Sequence, residues 1–329
     1  MFFLQYTISP DDENRRIDRV LRKFLKDDLT LSQIYKSLRN GQIKVNNKKI
    51  KQDYKTKKDD IIFIDEYLIK NKNEIKTNNS TENFKKNYKL EVIFENQYIK
   101  IINKPYNIAV QKSQKDEIAL DDIIKSQYNP TEKSLSFKPG PLHRLDKKTT
   151  GLLTFSNNLV GAQKFSEILQ NHQITKTYVA VLEGKLTTPQ KWIDNISANK
   201  KSQQQNFKTV SITKNQDKSA KEAITEVFPI KSGFFNNKEI TLAKINIYTG
   251  RTHQIRSQCA YHNFPLLGDT AYNKNTKKIS KDVDFFLHSY KISLSLENPL
   301  QLPTEIIAPL PKNFVNFLKN YLSIEDFAL

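Results

Sequence analysis

From Leu90 onward, apolar residues recur at alternate positions in short runs, and that period confines much of the chain to sheet. Residues 90–94 and 98–102 flank a Glu95-Asn96-Gln97 turn, and Asn103-Lys104-Pro105 closes the second run. Similar runs lie at residues 151–155, 174–182, 223–228, 240–248 and 285–296. Helical patterns fall at residues 159–169, with Phe165, Ile168 and Leu169 on the buried side, and at residues 252–261. Strands outnumber helices and several are sequence neighbours, which predicts an α+β fold with a mainly antiparallel central sheet. Residues 185–220 are polar and poorly periodic, and predict an extended insertion or hairpin. No internal repeat is visible.

The first part of the chain reads differently. One helix is predicted around residues 16–25, with Ile17, Val20, Leu21 and Phe24 on one face. A second is predicted around residues 32–39, with Ser32 as its N-cap and Gly41 as its stop. Short strands are expected at residues 43–45, 49–50 and 60–64, with an Asn46-Asn47 turn. Met1-Phe-Phe-Leu-Gln5 is too short and too weakly basic for a signal peptide and predicts a first strand. Residues 1–67 therefore form a small α/β domain that precedes the large one at 90–329. The intervening residues 68–89 are expected to be a flexible linker, since 70–89 have almost no apolar periodicity.

The net charge of +18 predicts attraction to a polyanion, and it is not confined to one end. Residues 1–88 hold 20 Lys and Arg against 13 Asp and Glu, an excess of 7. Nucleic acid is the leading partner, because counterion release rewards many lysine–phosphate contacts; a membrane surface is the weaker one. A lysine- and asparagine-rich composition arising from genome bias would produce the same excess. No apolar run approaches the length that spans a bilayer. The single cysteine, Cys259, excludes an internal disulfide and a multi-cysteine metal site, and is compatible with a reducing cytoplasm.

Arginine usage singles out two segments. Only 8 of the 53 basic residues are arginine, and after Arg39 only Arg144, Arg251 and Arg256 remain. A guanidinium pairs bidentately with a carboxylate or phosphate, which lysine cannot imitate. Arg144 stands two residues before Asp146, on a segment that follows Pro139-Gly140-Pro141 and leads through Thr149-Thr-Gly151 into an apolar strand. That places a carboxylate on a loop at the edge of the sheet. Asp146 as a cap, or as a surface ion pair with Arg144 or Lys147, fits the same residues. Gly250-Arg-Thr-His-Gln-Ile-Arg256 puts His253 and Arg256 three apart, on one face if helical; a basic helix start on the surface is the alternative. Tyr178 alternates with Val179 and Val181, and core packing with a satisfied hydroxyl is its plain reading. There is no phosphate-cradling glycine-rich loop, no Gly-x-Ser-x-Gly elbow and no zinc-like histidine spacing. Any chemistry should be redox-neutral and need neither cofactor nor metal.

Four ordered segments carry a resemblance. They are His143-Arg-Leu-Asp146 with Thr149-Thr-Gly-Leu-Leu153; Lys176-Thr-Tyr-Val-Ala-Val-Leu-Glu-Gly184; Gly250–Arg256 continuing through Pro265-Leu-Leu-Gly-Asp-Thr-Ala-Tyr272; and Leu287-His-Ser-Tyr-Lys-Ile-Ser-Leu294 with Ala308-Pro-Leu-Pro311. Residues 90–329 resemble the RluA-type pseudouridine synthases, and residues 14–66 resemble an S4 RNA-binding domain. Asn103-Lys-Pro105 and Ile108-Ala-Val-Gln111 look most like the C-type large-subunit ribosomal branch.

The resemblance implies isomerisation of uridine to pseudouridine in 23S ribosomal RNA. Asp146 would be the essential carboxylate, attacking the ribose C1′ or assisting loss of the base by deprotonating C2′. Arg256 would pair with Asp146 and favour its charged form. Tyr178 would stack on the uracil and help remove the C5 proton. Arg144 would fill the space left when the nucleotide flips from its stack. His143, Arg251 and His253 would support loops or contact RNA. Arg15, Arg16, Arg19, Lys36, Arg39 and Lys44 would form the basic RNA-binding face of the S4-like domain. That domain usually carries Gly-Asp before its last strand, where this chain has Asp59-Asp60. The implied partner is 23S rRNA or a large-subunit precursor, met by a cytoplasmic monomer away from any membrane.

Three rivals stand beside this reading. A D-type paralogue shares the domain order. A non-catalytic RNA-binding assembly factor on the same fold would be favoured by loss of Asp146, Tyr178 or Arg256, and all three are present. A glycosidase would need two positioned carboxylates where the motifs supply one.

Overall fold

Ile43, Val45, Ile62 and Ile64 lie on the buried face of a small N-terminal sheet, and their alternation is what makes these residues strands. The computed structural model describes residues 2–69, 79–114, 117–130, 133–198, 209–213, 219–294 and 298–329. Strands β1 (Phe3–Thr7), β2 (Ile43–Val45) and β3 (Ile61–Asp65) pair antiparallel in the order β1-β3-β2. Helices α1 (Ile17–Phe24) and α2 (Leu31–Asn40) pack on this sheet through Ile17, Val20, Leu21, Ile34 and Leu38. The cap of α2 is Thr30, two residues before the expected Ser32. Thr30 Oγ1 accepts from Gln33 N at 3.4 Å and Gln33 Oε1 accepts from Thr30 N at 2.8 Å, a reciprocal capping box. Gly41 ends the helix at φ 75°. Asn46 and Asn47 form the expected turn with φ of 49° and 62°. Residues 49–50 form no strand, because after this turn the chain makes only an isolated bridge between Val45 and Lys48.

Two observations bear on the expected linker and domain boundary. Helix α3 (Asn79–Asn87) occupies part of the stretch read as a linker, and residues 70–78 lie outside the described residues. Contacts group Met1–Lys89 with Asp121–Gly140 and Ser156–Gln163 in one unit. Asp12 shows why. Fully buried, it accepts hydrogen bonds from Ser9 Oγ (2.9 Å), Ser134 Oγ (2.8 Å), Leu135 N (2.8 Å) and Ser136 Oγ (2.6 Å). Removing this acceptor would leave several buried donors unpaired, each costing about 1–3 kcal/mol.

The second unit comprises Leu90–Leu120, Pro141–Phe155 and Lys164–Leu329. Its strands are β4 (Val92–Glu95), β5 (Ile99–Lys104), β6 (Thr150–Ser156), β7 (Ile174–Glu183), β8 (Gln190–Ala198), β9 (Val210–Thr213), β10 (Lys221–Phe235), β11 (Lys238–Ile247), β12 (Leu287–Leu294) and β13 (Glu305–Ile307). Among the described residues they form one ten-stranded sheet in the order β4-β5-β6-β12-β7-β11-β10-β8-β9, with β13 paired to β12. β6 pairs with β12 in parallel, whereas β4–β5, β12–β7, β7–β11, β11–β10, β10–β8, β8–β9 and β12–β13 pair antiparallel. The α+β class and mainly antiparallel sheet match the expectation. The polar stretch at 185–220 supplies the β8–β9 hairpin, and β8 joins the sheet through β10.

Besides α3, three further elements escaped the sequence reading: α4 (Leu120–Gln127), β13 and α7 (Lys312–Leu322). Between them stand α5 (Leu159–Gln170) and α6 (Gln254–Tyr261). One core gathers Ile99, Ile101, Leu152, Phe165, Ile168 and Ile292. Another sets Val179, Val181 and Leu242 against Phe314, Phe317 and Leu318 of α7. Full burial of each such side chain contributes about 1.5–3 kcal/mol. Among the described residues no helix is long and apolar enough to cross a membrane.

Candidate active site

Strand β6 is buried along its whole length, between β5 and β12, so the loop before it emerges at the end of an interior strand. The expectation of a loop at the sheet edge is corrected accordingly. Gly151 adopts φ 103° where β6 meets β12, and a Cβ there would collide with the backbone carbonyl of Ser289. Ser289 is opposite both Gly151 on β6 and Tyr178 on β7. This close approach, possible only for glycine, sets the loop bearing Asp146 near the strand bearing Tyr178.

The loop is also held from beneath. Lys104, the last residue of β5, is fully buried and donates from Nζ to the carbonyls of Pro105 (2.8 Å) and Lys147 (2.9 Å). Burial lowers its pKa to about 7, against the pull of the Asp146 charge. Lys147 pairs with Glu117 at 2.7 Å, and Lys148 pairs with Asp284.

Asp146 meets two groups from the segment at 250–256. Its Oδ2 accepts from Arg256 Nη1 at 3.1 Å, and its Oδ1 lies 3.7 Å from His253 Nε2. The carboxylate side chain remains 23% exposed, whereas that of Arg256 is 10% exposed, so the acid can reach a ligand and its partner cannot. Arg256 also donates from Nε and Nη2 to Asp269 Oδ2 (2.7 Å) and Oδ1 (2.8 Å). Its guanidinium lies between the rings of Tyr272 (5.1 Å) and Phe285 (4.8 Å). Burial opposes its charge, but the bonds and charges of Asp269 and Asp146 outweigh burial and raise its pKa above the usual value. A guanidinium clasped along its Nε–Nη2 edge by Asp269 and flanked by two rings aims an Nη1–H at Asp146, a task that a lysine could not perform.

Helix α6 carries Arg256 into the interior, and its polar sequence is satisfied there. Gln254 Oε1 accepts from Thr249 Oγ1 (2.8 Å) and Arg251 N (3.0 Å), and its Nε2 donates to Thr225 Oγ1 (2.9 Å). Gln258 Nε2 donates to Asp194 at 2.7 Å and its Oε1 accepts from Thr225 Oγ1 at 2.6 Å. The segment is therefore not a basic helix start on the surface. His253 is the N-cap rather than a helical residue, with φ 52° and ψ 23°. This left-handed conformation is uncommon for a side chain of its size and costs about 1–3 kcal/mol. Gly268, with φ 84°, turns the chain just before Asp269, where a Cβ would strike the carbonyl of Asp284.

Tyr178 is 5% exposed, and burial, followed by a smaller upward contribution from Asp146, pushes its pKa up to about 12. The phenol is thus neutral at any ordinary pH. Arg144 is exposed. His143 is half-buried and engages the β6 backbone. Its Nε2 accepts from Thr154 N at 3.1 Å, its ring stacks on Phe165, and burial drives its pKa well below the usual value. Arg251 donates from Nε to the Glu222 carbonyl at 2.8 Å and so braces β10.

In the N-terminal unit, Arg19, Lys36 and Arg39 are exposed, and Lys44 lies over the Phe3 ring at 4.8 Å. Arg16 is paired with Asp18 at 2.9 Å, and Arg15 is turned to the Ser136 hydroxyl. These two have fewer donors left for a ligand than the sequence suggested. The residues that sequence reasoning missed are Lys104, Asp269, Tyr272 and Phe285. The first three stood inside quoted segments, but only the fold shows that Lys104 is buried and that Asp269 faces Arg256.

The chain is similar to known proteins along most of its length. The RNA pseudouridylate synthase family model matches residues 98–261, which contain Asp146, Tyr178 and Arg256. The chain is 30% identical to ribosomal large subunit pseudouridine synthase C of Buchnera aphidicola subsp. Schizaphis graminum, over 96% of this chain and 96% of that protein. It is 30% identical to the protein of the same name from Rickettsia typhi, over 92% and 96%. It is 29% identical to ribosomal large subunit pseudouridine synthase D of Borreliella burgdorferi, over 74% and 72%. Human RNA pseudouridylate synthase domain containing 1 shares the fold with a TM-score of 0.55 at 20% identity, over 68% of this chain and 84% of that one. The chain belongs to the RNA pseudouridine synthase family and is an isomerase.

Proposed function

We propose that this chain isomerises specific uridines to pseudouridine in 23S rRNA of the large ribosomal subunit, as a C-type enzyme. The observation that carries the reading is the arginine's double engagement: Asp269 takes its Nε–H and an Nη2–H along one edge, and an Nη1–H is spent on Asp146. A carboxylate that is partly exposed, singly bonded and aimed by a buried cation suits attack on a ribose carbon or removal of a ribose proton. C-type relatives matched along nearly their whole length support the choice of RNA and of branch.

In this reading Asp146 is the reacting carboxylate, engaging C1′ as nucleophile or C2′ as base. Arg256 holds its orientation. Tyr178 lines the site as a neutral phenol and stacks on uracil; with its pKa raised the phenol is no base for the C5 proton, so its part is to hold the base after it has turned. The target must leave its stack so that the base can separate and rotate, and exposed Arg144 occupies the vacated space. His143 and Arg251 act as loop supports, given their bonds to Thr154 and to the Glu222 carbonyl.

Residues 1–67 serve as an S4-like RNA-binding domain, with Arg19, Lys36, Arg39 and Lys44 as the main basic face and Arg15 and Arg16 beside it. Residues 90–329 form the catalytic domain, and residues 68–89 join the two. The enzyme works as a cytoplasmic monomer; the fully buried free thiol of Cys259 suits a reducing compartment. A D-type assignment is the second reading, favoured by the Borreliella relative.

The test is conversion of an unmodified large-subunit rRNA transcript by the purified protein, with each pseudouridine located by chemical-adduct mapping. Discrete C-type positions are expected. Modification at D-type positions would move the branch assignment, and no pseudouridine in any rRNA would overturn the proposal.

A further inference from the structure

Asp146 has a second neighbour whose orientation is fixed from behind. His253 Nε2 approaches Oδ1, the carboxylate oxygen that Arg256 leaves free, at 3.7 Å. The other ring nitrogen, Nδ1, lies 2.9 Å from the Tyr272 hydroxyl. That hydroxyl accepts the backbone N–H of Val210 at 3.0 Å. A phenol has one proton to donate. With Val210 using a lone pair of the oxygen, the phenol proton is available to His253 Nδ1. The neutral imidazole then carries its own proton on Nε2, facing the carboxylate.

The chain of contacts reaches β9, within the polar stretch at 185–220. Val210 opens β9 and packs with Ile196 and Ala223, and Tyr272 lies against this cluster. The left-handed backbone of His253 turns its ring toward this tyrosine at the very start of α6.

We propose that His253 is a positioning residue for the isomerisation, held by Tyr272 and Val210 as the Nε2–H tautomer so that it steadies Asp146 while staying uncharged. This rests on the reading of Asp146 as the reacting carboxylate. Neutrality matters because Arg256 already supplies one cation to Asp146. A second, on Oδ1, would draw off the charge with which the carboxylate attacks or takes a proton. Among the described residues, the ionisable groups acting on the ring are Asp146 and Arg144 before β6, Arg256 on α6, and Asp269 and Tyr272 after α6. From β9 comes only the backbone amide. Burial lowers the pKa of His253 below its usual value; Asp146 and Asp269 oppose this, and Arg256 and Arg144 reinforce it. Activity should therefore persist below the ordinary histidine pKa and fall only as His253 takes up its proton.

The experiment measures kcat and KM on a short RNA substrate across about pH 5 to 8, spanning the usual histidine range. It compares wild type with Tyr272→Phe, His253→Asn and Asp146→Asn. Tyr272→Phe removes the proton given to Nδ1, so the His253 pKa rises and the acid limb of kcat moves upward by roughly half a unit or more. Its KM should stay within about twofold, since the perturbed contact is to the reacting carboxylate rather than the RNA. His253→Asn tolerates the left-handed backbone, lowers kcat about tenfold or more and removes that limb. Wild-type kcat and an unmoved acid limb in both variants, with Asp146→Asn inactive, would overturn the role of His253 alone. Full activity of Asp146→Asn would overturn the reading of the site, and this proposal with it.

Discussion

Asp269→Asn is the most informative single change to the scaffold of the site. The asparagine keeps the size of the side chain and removes its charge. In the native protein both carboxylate oxygens accept from Arg256, at 2.7 and 2.8 Å, with Asp269 2% and Arg256 9% exposed. An amide offers one acceptor and sets an N–H against an N–H, so one of these bonds is lost and the other loses its negative partner. Removing one member of a buried ion pair costs about 3–5 kcal/mol. The remaining bond from Arg256 to Asp146 argues for the lower end, about 3 kcal/mol. For a domain of this size each kcal/mol shifts the Tm by about 2–4 °C, which predicts a fall of about 6–12 °C. Thermal unfolding followed by circular dichroism, with urea titration alongside, measures it. Asp146→Asn is the control. That side chain is 23% exposed and carries one bond from Arg256, so its Tm should change by less than about 3 °C. If Asp269→Asn melts within about 2 °C of wild type, the bidentate clasp of Asp269 on Arg256 is not what holds this part of the fold.

Three further outcomes follow from buried groups. Lys104 has a pKa lowered to about 7 in the folded protein, so between pH 7 and its ordinary value of 10.5 the unfolded chain binds the extra proton and stability rises with pH. Lys104→Met should remove one proton's worth of that slope, about 1.4 kcal/mol per pH unit, in urea titrations on either side of about pH 9; an unchanged slope would contradict the burial of a near-neutral amine. Cys259 is fully buried and burial raises its pKa, so a thiol reagent should label it only after denaturant is added, and rapid native labelling would count against the packing of α6. Gly151→Ala must either shift β12 or leave φ 103°, so it should cost at least about 1–3 kcal/mol in unfolding free energy, and a neutral result would contradict the close β6–β12 approach.

Local pattern explains why much of the fold could be read before the structure. Strands such as β7 and β11 show the two-residue period, and the Asn46-Asn47 turn declares itself by residue type. Helix α7 was equally legible, since Phe314, Phe317, Leu318 and Leu322 recur at helical spacing, as do Leu120, Ile123 and Ile124 in α4. Strand β13 is different in kind, because its three residues are a strand only by pairing with β12. The site divides the same way. Arginine scarcity pointed to Arg256 and a short spacing to Asp146, and the fold brings them to 3.1 Å. Nothing local marks Lys104 as a fully buried lysine, Asp269 as the second partner of Arg256, or His253 as a left-handed cap touching Tyr272. Those facts arise from approach between segments far apart in the chain. The polar character of α6 pointed the wrong way, since Gln254 and Gln258 are satisfied inside the protein rather than by solvent.

The central claim is that Asp146 performs uridine isomerisation on large-subunit rRNA, and one measurement addresses it most directly. Pseudouridines are mapped in 23S rRNA from a strain lacking this gene, then after re-expression of wild type or of Asp146→Asn at matched protein levels. Defined sites should vanish in the deletion strain, return with wild type and stay absent with Asp146→Asn. Return of those sites with Asp146→Asn, to the same extent as with wild type, would contradict the account.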